Sequence, residues 1–306
     1  MNKSTREGFG DSLAEYGNNP KIVVIGCDLS KATKTDEFAI LFPERFVECG
    51  IAESNALGVS AGLAAQGFLP IVSSFGSFIT GRADQLKCSI AMPNLPVIVV
   101  GSHPGISPSK DGPTQSGLSD LSIMRSLPNL TVWDPGSYTL TYELTRRLLT
   151  APISGPIYLR LGRQPIEDSL VSCPMSTACL GSFNLTEHEA DPNFCVLVGG
   201  CLLPTVLVAA YKSQLQPEVY HVARIKPLPE QIISIAKKAK IVFTVEDHSI
   251  IGGLGSAICE ALSETDTHVI RIGIPDEFPS SGSPEDLYKH YRLDVEGLRK
   301  RFDAYR

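Results

Sequence analysis

Short, almost unbroken apolar runs recur along this chain, and segments of helical length separate them. In the first half the runs fall at residues 21–26, 70–73, 97–101, 130–133 and 156–161, with helices expected near 54–66, 77–91 and 137–150. A strand that is apolar on both faces must be covered on both faces, the condition met by a parallel sheet with helices above and below it. The alternation resumes with strand-like runs at 194–199, 219–222, 241–245 and 267–272, helices near 203–214 and 253–262, and one or two more between 284 and 305. The fold class expected is α/β, as two doubly wound domains with mainly parallel sheets. Around residues 167–192 the periodicity lapses into mixed sequence with Pro174 and Pro192. The expected division is therefore a domain over 1–166, a linker over 167–192 and a smaller domain over 193–306.

At 306 residues the chain is long enough for two cores. A formal charge of -6 argues against a general nucleic-acid or anionic-membrane binder. The polar N-terminus lacks the apolar stretch of a secretion signal, and no run approaches bilayer length, so a cytoplasmic location is expected. The eight cysteines are scattered without a C-x-x-C pair or zinc-site spacing, which suits reduced, buried thiols and predicts no metal site in this chain.

Several polar residues fall where these strands end. Glu53, in Gly50-Ile51-Ala52-Glu53, stands where a strand would hand over to a helix rich in Ala and Gly. A carboxylate there is favoured by the helix dipole, so capping alone is one reading and a specific partner is the other. Phe75 and Phe78 lie three residues apart, close enough to flank a flat ring or simply to fill core. The Gly/Pro-rich loop over 101–115 brings His103, Asp111 and Gln115 to the end of another strand, the edge at which open α/β sheets bind ligands. Arg163 follows a further strand and has the planar fork suited to an oxyanion. No Walker loop, G-x-G-x-x-G fingerprint, G-x-S-x-G elbow or H-E-x-x-H pair occurs.

Taken in order, Gly50-Ile51-Ala52-Glu53, Ser74-Phe75 with Phe78, Asp84-Gln85, Ser102-His103, Asp111-Gly112-Pro113-Thr114 and Gly162-Arg163-Gln164 resemble the pyrimidine-binding domain of transketolases. Val245-Glu246-Asp247-His248 followed by Gly252-Gly253-Leu254-Gly255 is similar to the carboxy-terminal domain of the same family. The resemblance spans almost the whole chain, but the Gly-Asp-Gly motif that precedes these domains in a complete transketolase is not found here. It therefore implies one subunit of a split enzyme. The partner would be an N-terminal-type chain that holds the diphosphate of thiamine diphosphate through Mg2+ or Ca2+, in an expected α2β2 assembly.

The resemblance also assigns roles. Glu53 would share a proton with a ring nitrogen of the thiamine aminopyrimidine and so raise the basicity of its imino tautomer. Phe75 and Phe78 would pack around that ring, with Asp28 close to the cofactor. His103 would contact substrate and carry a proton, Asp111 would read a donor hydroxyl, and Arg163 and Arg6 would hold a distal phosphate or sulfonate. Many microbial relatives have His after Gly-Pro-Thr, whereas Gln115 stands here, as in animal transketolases, and offers a hydrogen bond without a titrating base. Gly81 replaces a larger residue of several relatives. The run Glu246-Asp247-His248 would lie away from the cofactor as a structural element. The reaction implied is transfer of a two-carbon ketol unit between sugars. The alternatives are a beta-type subunit of a 2-oxoacid dehydrogenase, a deoxyxylulose-phosphate synthase-like chain, or a non-catalytic paralogue that pairs with a catalytic one.

Overall fold

The computed structural model describes residues 2–167, 182–184 and 190–306. In the first half the strands are β1 (Asn2–Lys3), β2 (Ile22–Gly26), β3 (Phe46–Glu48), β4 (Leu69–Phe75), β5 (Ile98–Ser102), β6 (Thr131–Trp133), β7 (Ile157–Leu161) and β8 (Ile166–Glu167). The second half adds β9 (Ser182–Asn184), β10 (Asp191–Val198), β11 (Pro217–Val222), β12 (Arg224–Lys226), β13 (Ile241–Ser249) and β14 (His268–Ile274).

A seven-stranded sheet runs in the order β12-β6-β7-β5-β4-β2-β3, and every neighbouring pair is parallel except β12 with β6. Alternation along its strands explains the unbroken apolar runs. Val23, Ile25, Val72, Val99 and Tyr158 face one cluster together with Leu57 of the helix Glu53–Ala65. Ile22, Val24, Ile71, Ile98, Val100, Leu159 and Leu161 face the other, under Phe9 and Leu13 of the helix Thr5–Tyr16 and Leu144 of the helix Tyr138–Thr150. Both faces are thus covered, and the chain folds as the α/β pattern requires.

The order of strands places a switch point between β2 and β4, one strand in from the β3 edge of this sheet. From β2 the chain moves outward to β3, then crosses back to β4 and proceeds the other way to β5. The crevice beyond the carboxyl ends of β2 and β4 is where such sheets take ligands.

The second sheet, β14-β13-β10-β11-β9, is parallel apart from β9. The carboxy-terminal segment ends in two helices, Pro284–His290 and Val295–Asp303. Most of the expected linker lies outside the described residues; inside it, β9 pairs with β11 and β10 begins at Asp191. β12 departs from the expected organisation by crossing over to pair antiparallel with β6, Arg224 opposite Trp133. The long helix expected near 77–91 is also broken. It forms the short helices Gly76–Thr80 and Ala83–Leu86 and a π-helical turn, Lys87–Ala91, because Arg82 leaves helical geometry at φ -125°, ψ 30°.

Candidate active site

Glu53 opens its helix directly after the turn that leaves β3, and its side chain is 6% exposed. Its partner comes from another strand: the Ser74 hydroxyl, on β4, donates to Glu53 Oε1 at 2.9 Å. Among the described residues no second donor reaches the carboxylate. Capping is therefore an incomplete account of this acid, since helix-dipole stabilisation needs no side chain from a neighbouring strand. Ser74 fixes one oxygen, and among the described residues the other accepts no hydrogen bond.

Glu48 organises the approach to it. Its Oε1 accepts the backbone N–H groups of Asp28 and Gly50, each at 2.8 Å, tying the turn after β2 to the turn after β3. Asp28 is exposed, with φ +58°, at the same edge of the sheet. Sequence reasoning passed over Glu48; the available signal was an acid at a strand end immediately before Cys-Gly.

Phe75 and Phe78 do not stand apart to sandwich a ring. Their own centroids are 5.3 Å apart with an 18° interplanar angle, so they stack on one another and form a single half-buried aromatic wall. Two rings enclosing a third need roughly 7 Å between them, twice a close carbon–carbon contact. A ligand ring can meet this wall from one side only. Phe75 also touches His103, with ring centroids 4.0 Å apart.

His103 follows β5 with φ +58° and is 4% exposed. Ser102 Oγ lies 2.5 Å from its Nδ1, and Arg6 Nη1 lies 3.4 Å from its Nε2. A guanidinium can only donate, so Nε2 accepts and the ring proton belongs on Nδ1, directed at Ser102. Burial first, then the charges of Arg6 and Arg163, lower the His103 pKa to about 3, so the ring is neutral. Arg6 also donates to the Ala32 carbonyl at 2.7 Å, and its Nε is buried without a partner. Burial and the neighbouring Arg163 both push the Arg6 pKa down. Neither guanidinium is in an ion pair among the described residues. Arg6 and Arg163 thus repel each other, and of the neighbouring carboxylates Glu7 offsets this at Arg6 without pairing with it.

Asp111 is exposed in a single 3-10 turn, Ser109–Asp111, and Gln115 is half-buried in the next turn of the same loop. Among the described residues their side chains make no hydrogen bond to the group around His103. The loop places them near it in sequence but outside its network.

Arg160, three residues before Arg163, serves a different purpose. It is 2% exposed and donates to both oxygens of Asp120 at 2.8 and 3.1 Å, to Asp134 at 3.2 Å and to the Asp247 carbonyl at 2.8 Å. Burial pushes Asp120 up, yet Arg160 holds it below the ordinary carboxylate range; at Asp134 burial prevails and the pKa rises to about 6. The Glu246-Asp247-His248 run joins this structural region. Glu246 accepts the N–H groups of Leu254 and Gly255 at the start of the helix Leu254–Ala261, and His248 approaches Ser122.

The family model for the transketolase pyrimidine-binding domain matches residues 1–167, and that for the transketolase C-terminal domain matches residues 186–298. This chain belongs to the transketolase family. A putative transketolase C-terminal section from Methanocaldococcus jannaschii is 38% identical over 307 residues, covering 98% of this chain and 95% of that protein. A 6-deoxy-6-sulfo-D-fructose transketolase subunit from Clostridium sp. is 34% identical, covering 96% and 91% respectively. The 1-deoxy-D-xylulose-5-phosphate synthase 1 of Geobacter sulfurreducens is 33% identical, but this chain spans only 47% of its length. Among solved structures, a split-gene transketolase described as an inactive beta4 tetramer is 35% identical with a TM-score of 0.84, covering 97% of this chain and 96% of that one. A Pichia stipitis transketolase at 20% identity shares the fold, with a TM-score of 0.83 over 45% of its length. This chain thus matches the half of the full-length members that contains the pyrimidine-binding and C-terminal domains.

Proposed function

We propose that this chain is the second subunit of a split, thiamine-diphosphate-dependent transketolase, which moves a two-carbon ketol unit from an anionic ketose to an aldose. A second chain would contribute the diphosphate- and metal-binding domain, with Mg2+ or Ca2+, in an α2β2 assembly located in the cytoplasm. The observation that carries the reading is the buried Glu53 carboxylate, fixed on one side by Ser74 and open on the other, beside an aromatic wall at the switch point of the sheet. This donor set fits an aminopyrimidine, which needs one carboxyl oxygen for a ring nitrogen and an apolar surface for its face.

When bound, thiamine diphosphate supplies an acidic carbon and an electron sink for carbon–carbon bond cleavage. Glu53 holds the proton at its open oxygen for the pyrimidine nitrogen, and Ser74 fixes the orientation of the carboxyl group. Phe75 and Phe78 cover one side and exclude water, with Asp28 on the same edge. His103, with its proton on Nδ1 and Nε2 turned to Arg6, would contact the substrate and exchange a proton at Nε2 once Arg6 turns to the substrate's anionic group. Arg6 and Arg163 attract the distal phosphate or sulfonate of a sugar, and Asp111 and Gln115 take hydroxyl hydrogen bonds from the loop. The similarity to a sulfofructose transketolase subunit supports keeping a sulfonate in this anion class.

The test is to combine this chain with a diphosphate-binding transketolase subunit, thiamine diphosphate and Mg2+, and to supply ketose phosphates or sulfonates with aldose acceptors. Ketol transfer that needs both chains is expected. Carbon dioxide release from pyruvate with glyceraldehyde phosphate, without ketol transfer, would favour the synthase-like alternative. No turnover with any donor would favour a non-catalytic paralogue.

A further inference from the structure

The loop that follows His103 is held from outside its own sheet. The Ile106 N–H donates to Asp247 Oδ1 at 3.0 Å in a fully buried contact, and Tyr288 donates its hydroxyl to Asp247 Oδ2 at 2.7 Å. At the far end of the loop, the Ser249 N–H donates to the Leu118 carbonyl at 3.1 Å. In between, a Cβ placed on Gly112 would lie 3.2 Å from Ser281 Oγ. The loop closes on itself through paired Gly105 and Gly117 hydrogen bonds, each at 3.0 Å. Asp247, Ser249, Ser281 and Tyr288 all belong to the C-terminal half, so that half forms the support on which the loop rests.

Gly105 shows how close this support is. Its φ is +60°, and a Cβ added there would fall 2.1 Å from both the Asp247 carboxyl carbon and Oδ1. The backbone is pressed onto the acid, and Arg160 fixes the acid's own backbone through the Asp247 carbonyl. The loop begins at His103 and contains Asp111 and Gln115, whereas Glu53, Ser74 and Phe75 sit on other elements.

We propose that Asp247, braced by Tyr288, is a positioning residue that sets the loop bearing His103, Asp111 and Gln115, so that the C-terminal domain determines the geometry of the donor-sugar subsite while leaving the pyrimidine subsite unaffected. The sugar part of this rests on the transketolase reading above; the positioning of the loop does not.

Three variants separate the effects. Asp247→Leu keeps the branching of the side chain and loses both hydrogen bonds. Asp247→Asn restores them, since its amide oxygen accepts from Ile106 and its amide nitrogen donates to the Tyr288 oxygen. Tyr288→Phe removes one bond only and remains informative if the leucine variant does not fold. Amide exchange is measured on the full chain by mass spectrometry, and kinetics on the assembled enzyme. Peptides within 104–118 should exchange roughly ten-fold or more faster in Asp247→Leu, those of β4 and β5 should be unchanged, and Asp247→Asn should return near the parent protein, the loss being that of a buried hydrogen-bond pair. The KM for the ketose donor should rise by a similar factor while that for thiamine diphosphate stays within about two-fold. Unchanged loop exchange in Asp247→Leu, or faster exchange throughout the chain with no rescue by asparagine, overturns the proposal. So does an equal rise in both KM values. If the parent enzyme shows no ketol transfer, the functional reading falls, and the exchange pattern alone still decides the role of Asp247.

Discussion

Ser74 Oγ lies 2.9 Å from Glu53 Oε1, joining the end of β4 to the first turn of the helix that follows β3. The bond orients a buried carboxylate across the switch point of the sheet. In Glu53→Gln the amide oxygen still accepts from Ser74, while the protonatable oxygen is lost. Turnover should drop by at least about a hundred-fold, the range of a positioned acid–base group, with the circular dichroism spectrum and assembly unchanged. Ser74→Ala should cost a smaller factor, about ten-fold, because the one hydrogen bond that orients the carboxyl group is removed and the carboxyl stays. Near-normal turnover of Glu53→Gln would remove Glu53 from the chemistry.

The neutral His103 ring makes folding sensitive to acid. Its folded pKa of about 3 lies below the ordinary 6.5, so below pH 6.5 the unfolded chain binds a proton that the folded chain refuses. The stability associated with this group is complete above pH 6.5 and falls as the pH drops from 6.5 toward 3, by up to about 1.4 kcal/mol per unit. Asparagine tolerates the positive φ at this position. Thermal melts of His103→Asn and the parent protein should therefore converge as the pH is lowered through this window; parallel curves would show that His103 does not titrate this way.

Arg6 and Arg163 should act on charge rather than on sugars in general. Arg163→Ala is expected to raise the KM for phosphorylated or sulfonated substrates about ten-fold or more, the loss of a charge-assisted contact, with little effect on neutral sugars. Arg6→Ala should do the same and also let the His103 pKa climb, because Arg6 is one of the charges that lower it. Titration of the imidazole by NMR reads that rise; an unshifted His103 would separate the two residues.

Arg160 binds three carboxylate-bearing segments from within the core. Arg160→Met would strand Asp120 and Asp134 without their partner and should destabilise the chain by about 3–5 kcal/mol, as removal of one member of a buried ion network does. Denaturant midpoints check this. A loss under about 1 kcal/mol would mean that water already reaches the network.

Two glycines should respond in opposite directions to alanine. Gly105→Ala meets the Asp247 carboxylate at a positive φ and should be strongly destabilising, whereas Gly62, inside the helix Glu53–Ala65, has nothing within 4 Å of an added Cβ. In the isolated chain Gly62→Ala should gain about 0.5–1 kcal/mol from helix propensity. Melting temperatures moving in the same direction for both would contradict the packing described.

The layered α/β pattern was legible because a strand covered on both faces must be apolar along its whole length, and that leaves a continuous run in the sequence. Residues 22–26, 98–102 and 157–161 became strands within about one residue of expectation. The broken helix at Gly81-Arg82 was not legible, since periodicity continues through it. Nor was β12: three residues carry little pattern, and nothing local records that they pair with β6 rather than with their own sheet.

The same division runs through the site. The sequence by itself determined which polar residues stand at strand ends, Glu53, His103 and Arg163 among them, because buried apolar strands leave polar side chains to the loops and helix starts that follow. Only the tertiary structure decided their partners. Ser74 reaches Glu53 from 21 residues away, Arg6 reaches His103 from 97, and Asp247 reaches Ile106 from 141. It also decided between two arginines three residues apart, burying Arg160 against Asp120 and leaving Arg163 exposed. Local periodicity reports which face a residue occupies; burial of charge is settled by whichever distant group arrives to neutralise it.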